Sequence, residues 1–376
     1  MKDTGNTFRL ANNKWVLRAI LFVCFAASFI FVHHNYSFYE RPIAEVVKTK
    51  QTDASNMVDM HNNHDRLFRQ EITARLKNGE DKGKLIHLTN EYSSSGGFDQ
   101  EYHVGNELFV LIDSKTDEAL TGTIKDVKRD KYLMIAAWLF IFTLLIVGKK
   151  QGLFSVISLA VNGIILSYAL DVYLNTTGID LLLICSISAI LFTVISLILV
   201  NGFNGKTFAA IIATLLGTFI SLSIAMFVIK ATAGNGLRYE EMQFLTRPPK
   251  VVFMAGVLVG SLGAVMDVAI TMSSSIFGLY EKNNNIPIKA LKASGMEIGK
   301  DIMGPMTNIL FFAYISGSIP MLLLYLKNAS PLGFTLSMNL SLELARALAG
   351  GIGIVLTIPI GLYTSIFFIK RKREKA

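Results

Sequence analysis

Six residues at helical spacing carry the first chemistry in this sequence: Gly256, Gly260, Gly263, Asp267, Thr271 and Ser274. They follow one another at steps of 4, 3, 4, 4 and 3, which keeps all six on one stripe of a helix. Small residues let another helix approach closely, so the four candidates with oxygen-free side chains, Gly256, Gly260, Gly263 and, on the next span, Gly304, read as helix-packing positions. The carboxylate and hydroxyls of the stripe then face that neighbour or a cavity. Asp267 lies near the centre of "GSLGAVMDVAITMSSS", where an ionised side chain costs about 2.5–3.5 kcal/mol on insertion scales. Such a group needs a partner or a proton. Three readings stay open: a proton- or cation-coupling site, a structural group that holds helices together, or a position closer to the interface than the hydropathy suggests.

The next apolar stretch repeats the pattern. Asp301, Gly304, Asn308 and Ser316 follow at steps of 3, 4 and 8, again near one stripe. Asn308 is the expected direct partner of Asp267. Asp301 reads as an acid at a helix start, where free amides and the macrodipole favour it. Pro305 lacks an N–H; early in a helix that loss is cheap, but after a full turn it frees a carbonyl that can line a site.

Elements long enough to position these groups are visible in the composition. The 376 residues are 52% hydrophobic and 17% charged, with a mean hydropathy of +0.46. Eight apolar stretches, at about 16–33, 132–148, 153–174, 181–200, 207–229, 250–277, 302–326 and 347–369, predict a polytopic α-helical membrane protein of about eight spans. Only helices close all their backbone hydrogen bonds within one segment in lipid. Lysines and arginines cluster before the first stretch, after the second, fourth and sixth, and in the closing "KRKREK". All fall on one side if both termini are cytoplasmic, so the positive-inside rule predicts a bacterial cytoplasmic-membrane protein of that orientation. The stretch 33–131 holds 14 Lys+Arg against 17 Asp+Glu. The basic balance therefore belongs to the membrane-embedded remainder and gives no reason to expect nucleic acid as a partner.

The domain organisation follows. Residues 1–33 form a cytoplasmic start and first anchor, which reads as uncleaved because no small-x-small site follows its apolar core. Residues 34–131 are extracytoplasmic, 132–369 form a seven-helix membrane domain, and 370–376 are a basic tail. Within the exterior segment, 45–68 reads as a polar connector, helical or loose. From about 69 to 126 the period changes to two, in "QEITARLKNG", "GKLIHLTNEY", "NELFVLID" and "TGTIKDV". Four or five short strands predict a small β-rich domain.

Other candidates are weaker. His61 and His64 in "DMHNNHD" would share a face if helical and are the best metal candidates, yet solvated histidines are the default, and no metal or cofactor is expected. Asn162 and the run 186–188 read as packing groups, as do Gly350, Gly351, Gly353, Pro359 and Gly361. "IPIKALKASGMEIGK" reads as a basic interfacial helix leading into the seventh span. Cys24 and Cys185 lie inside apolar runs and suggest neither disulfide nor zinc. GxGD, HExxH, GxSxG and a Walker A loop are absent, so no enzyme is expected.

Two motifs in order, "GSLGAVMDVAITMSSSI" and "LKASGMEIGKDIMGPMTNILFFAYISGSIPMLLL", give the chain a resemblance to the YibE/F-like family of bacterial multi-pass membrane proteins. The exterior "KNGEDKGKLIHLTN" and "YHVGNELFVL" are similar to that family's N-terminal region. The sequence departs from the family pattern at Lys300, Pro305 and Asn106, where the resemblance implies Arg, a hydroxyl residue and Asp. The resemblance implies a topology but no activity. The residues themselves lead to a transporter or permease-like protein with a polar intramembrane site, formed by Asp267, Thr271, Ser274, Asn308 and Asp301 on the sixth and seventh spans. The alternative is a membrane scaffold, sensor or assembly factor that acts through the exterior β domain. The expected partners are the lipid bilayer, a small solute or ion, and a membrane-protein partner or second copy.

Overall fold

The structure, a computed structural model, describes residues 4–97, 99–115, 120–176, 178–242 and 247–374, without the side chains of 4–18, 115 and 241. The chain divides into two compact units, Met1–Leu144 and Leu145–Ala376. In the first, α1 (Thr4–His34) runs through a 3₁₀ turn into five strands, and α2 (Asp130–Asn175) follows them. The strands are β1 (Ile43–Val58), β2 (His64–Leu76), β3 (Leu85–Ser93), β4 (Glu107–Lys115) and β5 (Leu120–Val127).

They close in the order β1-β2-β3-β5-β4, with β3 and β5 parallel and the other neighbours antiparallel. This is a five-stranded Greek-key barrel, the arrangement of OB-type domains. Alternate residues fill it: Ala44 and Val46 from β1, Ile72, Ala74 and Leu76 from β2, Ile86 and Leu88 from β3, Leu108 and Val110 from β4. At Gly122 a Cβ would lie 2.5 Å from the Leu111 carbonyl oxygen and 2.8 Å from Ile86 Cδ1, so a side chain there would force β5 away from its neighbours.

The expected connector at 45–68 is instead most of β1 and the start of β2. The two strands pair continuously out to Val58 and His64. Beyond Gln51 the β1 side is largely exposed, and beyond Ser55 and Leu67, where β2 parts from β3, the two strands continue as a two-stranded ribbon. With no core beneath it, the ribbon has no apolar face, and the period-two signal vanishes. Its turn is closed by Asp59, whose Oδ1 accepts the His61 and Asn63 N–H at 2.8 and 2.9 Å. His61 and His64 thus sit at a hairpin turn, where the i, i+3 spacing gives no common helical face.

A buried ionic network ties the barrel to its flanking helices. Lys128 is 3% exposed; its Nζ donates to the Val32 carbonyl at 3.1 Å and to Asp130 at 2.9 Å, and lies 3.3 Å from Glu107. Glu107 also accepts from Lys131 and from the Tyr36 hydroxyl, both at 2.6 Å. Asn35 and Tyr39 donate to Asp130 at 2.9 and 3.1 Å. Burial alone would push the Glu107 carboxyl up, but the hydrogen bonds from Lys131 and Tyr36 and the charges of Lys131 and Lys128 hold it below the usual range.

The second unit contains the rest of α2, then α3 (Leu181–Asn201), α4 (Gly205–Ala231), α5 (Pro249–Lys282), α6 (Ile288–Ser316), α7 (Ile319–Lys327) and α8 (Leu332–Arg373). Among the described residues, six helical stretches are long and apolar enough to cross a membrane, and a seventh if α6 and α7, bent by 52°, form one broken span. This makes the chain an integral membrane protein. The expectation of eight counts 132–148 and 153–174 separately. The structure joins them in the 46-residue α2, interrupted at Lys149 (φ 48°, ψ −118°). Gly148, Lys149 and Lys150 break the hydropathy there, while helix continues on both sides.

α5 packs against α3, α4, α6 and α8. Among lipid tails no hydrophobic force drives helices together, so close contact depends on small residues. The glycines of α8 supply it: Gly350 meets Leu310 of α6 and Ser261 of α5, Gly353 meets Val265 of α5 and Ser221 of α4, and Gly361 meets Met272 of α5. On α4, a Cβ at Gly217 would lie 2.0 Å from Thr357 Oγ1.

Two boundaries differ from expectation. The "IPIKALKASGMEIGK" stretch is continuous with α6, because Leu291, Gly295 and Gly299 give it a buried inner face, the two glycines lying against Leu362 and Ile358. α8 begins at Leu332, well before the expected 347.

Candidate functional site: polar groups on α5, α6 and α8

The buried side of α5 is formed by Leu258, Leu262, Val265, Val268, Ala269, Met272 and Ile276. The stripe Gly260, Gly263 and Asp267 lies opposite and is exposed, while Gly256, Thr271 and Ser274 are half-buried. Among the described residues the Asp267 carboxylate has no hydrogen-bond or ion-pair partner; the Thr271 hydroxyl donates to its backbone carbonyl at 2.8 Å. On α6, Asp301, Gly304, Pro305 and Asn308 are exposed as well. The expected hydrogen bond between Asn308 and Asp267 is not made, because each side chain points away from its own helix's buried face.

The two helices nevertheless bring these groups to neighbouring depths, within about two helical turns. They run antiparallel, with Gly260 against Tyr314 and Ile276 against Gly295. Between those two approaches, Asp267 falls level with Pro305 and Thr271 level with Asp301. Asp301 is not at a helix start, since α6 begins at Ile288. Pro305 therefore sits deep inside the helix, and its missing N–H leaves the Asp301 carbonyl without its helical donor. Gly263 and Gly304 have nothing within 4 Å of an added Cβ, so neither meets a neighbour among the described residues.

The packing role of Gly256 and Gly260 takes another form. Each faces a large polar side chain: Arg346 of α8 at Gly256, and Tyr314 of α6 at Gly260. A Cβ at Gly260 would lie 2.1 Å from the Tyr314 hydroxyl oxygen. Arg346 pairs with Glu343 one turn earlier, and its guanidinium lies 5.4 Å from the Phe253 ring centre. Among the described residues, the Tyr314 hydroxyl and Arg346 Nε are both buried without a hydrogen-bond partner. At about 1.5 Å per residue, the axis from Lys370 to Arg346 is roughly 36 Å long, against about 30 Å of hydrocarbon. The cluster thus belongs to the end of the bundle opposite the basic tail.

Sequence reasoning missed Tyr314, Glu343 and Arg346. The expected eighth stretch begins only at 347, just after the charges of Glu343 and Arg346. The available signal was their i, i+3 spacing, which lets opposite charges neutralise each other inside a continuing helix. Elsewhere, Asn162 and Ser158 of α2 both donate to Ser196 of α3 at 2.8 Å, stitching those helices together. Among the described residues no group of three or more His, Cys, Asp or Glu converges on a metal-binding arrangement.

Comparison with known families gives two matches. A model described as "YibE/F-like protein" covers residues 136–371, more than half of the chain, and one described as "YibE/F family N-terminal domain" covers residues 37–127. No curated protein and no solved structure matches.

Proposed function

The chain belongs to the YibE/F-like family, and from that premise we propose that it moves a small cation or proton across the bacterial cytoplasmic membrane. The track runs along α5 and α6, with both termini cytoplasmic. One observation carries this reading: Asp267, Thr271, Asp301, Asn308 and the Asp301 carbonyl that Pro305 leaves without its helical donor lie within about two helical turns of one another along adjacent antiparallel helices. Oxygen-rich groups held at mid-membrane by an interrupted helix are the usual means of replacing an ion's hydration shell. α2 crosses twice, turning at Lys149, which gives eight spans. The outward face at Asp267 is closed by a membrane helix of a second copy or a partner, since hydrocarbon alone would leave the carboxylate uncompensated. Tyr314, Glu343 and Arg346 form the mouth at the far end. No bond of the solute is made or broken, so the protein is not an enzyme.

The test is flux in proteoliposomes that enclose a pH-sensitive dye, with imposed gradients of protons, Na⁺ or K⁺. The full chain should dissipate at least one of them. Asp267→Asn should reduce that flux about tenfold or more while inserting normally. Flux through Asp267→Asn equal to that of the unaltered chain would remove Asp267 from the mechanism.

The exterior ribbon favours a second reading, a sensor or assembly factor. Met57, Val58 and Met60 are exposed near its tip, as a partner-binding arm would require. That reading predicts function that survives Asp267→Asn and fails on removal of residues 69–126.

A further inference from the structure

At the end of the bundle where α4 begins and α5 and α8 end, the second unit holds a cleft of about 450 Å³. Three cations, Lys206, Arg371 and Lys372, line it beside one carboxylate, Glu281, with Phe277 and Phe368 as apolar walls. Among the described residues, none of the three cations forms an ion pair. The cleft therefore carries an uncompensated positive charge.

The surrounding packing builds this arrangement. The Ser273 hydroxyl donates to the Lys206 carbonyl at 2.5 Å, joining α5 to the start of α4. Arg373 donates to the Ile286 carbonyl at 2.7 Å, fixing the end of α8 against the segment between α5 and α6. The Lys372 ammonium lies 5.7 Å from the Tyr280 ring centre, on the same helix as Phe277 and Glu281. Gly205 forms part of the lining, where a Cβ would already touch the Phe277 ring at 3.4 Å.

We propose that this cleft binds the phosphate group of an anion presented at that membrane surface. It is independent of the cation track. The chemistry is specific in two ways. Cations without counter-charges attract a phosphate, and basic pockets between membrane helices on the cytoplasmic side suit anionic headgroups. Two phenylalanine walls beside the cations offer contact for the glycerol and upper acyl carbons of a phospholipid, which an inorganic ion would leave unused. The distribution of lysine and arginine places this end in the leaflet where anionic lipids are concentrated.

The experiment uses the full chain in mild detergent. Native mass spectrometry follows titration with phosphatidylglycerol, with phosphatidylcholine and with inorganic phosphate. The cleft variant is Lys206→Gln/Arg371→Gln/Lys372→Gln. The control, Lys289→Gln/Lys300→Gln/Lys370→Gln, removes the same charge from exposed positions outside the cleft. Phosphatidylglycerol retention should fall about tenfold or more in the cleft variant and stay near the starting value in the control. Glu281→Gln should tighten retention, a gain that misfolding does not mimic. Saturation by inorganic phosphate, lost in the cleft variant and matched by no lipid effect, would assign the same cleft to a soluble phosphate. Equal losses in both triple variants, or no response to Glu281→Gln, would reduce the cleft to general surface charge and overturn the proposal.

Discussion

The Tyr314 hydroxyl of α6 occupies the space a side chain would take at Gly260 of α5: a Cβ there would stand 2.1 Å from its oxygen. The glycine of the expected packing stripe is thus a seat for a polar group, and among the described residues that group is buried without a hydrogen-bond partner. A hydroxyl in that state contributes nothing to the stability of the fold, because an unsatisfied buried donor carries its desolvation cost unrelieved. Tyr314→Phe should therefore leave thermal stability unchanged or slightly higher. Under the transport reading it should still lower ion flux in proteoliposomes. A variant that loses stability and flux together would show the hydroxyl to be structural.

Close helix contact makes a sharper stability prediction. Gly217→Ala places a methyl 2.0 Å from Thr357 Oγ1 and 3.3 Å from Val265 Cγ1, so α4 must shift against α8 and α5. Overpacking of this kind costs about 1–3 kcal/mol. Gly263→Ala, with nothing within 4 Å, should change stability by no more than about 0.5 kcal/mol. Unfolding of both variants in one detergent, followed by loss of helical circular dichroism, compares them directly.

The barrel's ionic network predicts a larger effect. Lys128→Met leaves Glu107 and Asp130 without the cation that lies within 3.3 Å of both. Removing one partner of a buried ion pair typically costs about 3–5 kcal/mol. Limited proteolysis should then cut between residues 37 and 127 much faster than in the unaltered chain. Lys84→Met, which removes an exposed cation bonded to Asp81, should leave the digestion rate nearly unchanged.

The same network sets a pH dependence. Despite the upward push of burial, the Glu107 carboxyl titrates below its usual value because Lys131, Tyr36 and Lys128 favour its ionised form. For a carboxyl depressed in the folded state, the stabilisation is complete above the unfolded value of about 4.3. It is lost as pH falls through the lower folded value. Barrel unfolding should therefore need less denaturant as pH drops below about 4, and Glu107→Gln should flatten that dependence.

Much of this protein was legible in its sequence. Long apolar runs determined a helical membrane protein, and period two from about residue 69 determined the inner strands of the barrel, because burial of one face leaves a repeat that needs no partner to be seen. The strand pairing across 45–68 was not legible, since the strands lose their alternation where they leave the core. The stripe at Asp267 was readable as a stripe, but its direction was not. Spacing groups side chains on one face of a helix; only the packing of α3, α4, α6 and α8 around α5 decides which face is left outside. For the same reason Glu343 and Arg346, which read as the edge of a span, acquired meaning only when α8 was placed beside Gly256 and Tyr314. Local periodicity fixes the elements, whereas the depth and orientation of their polar groups depend on contacts between residues far apart in the chain.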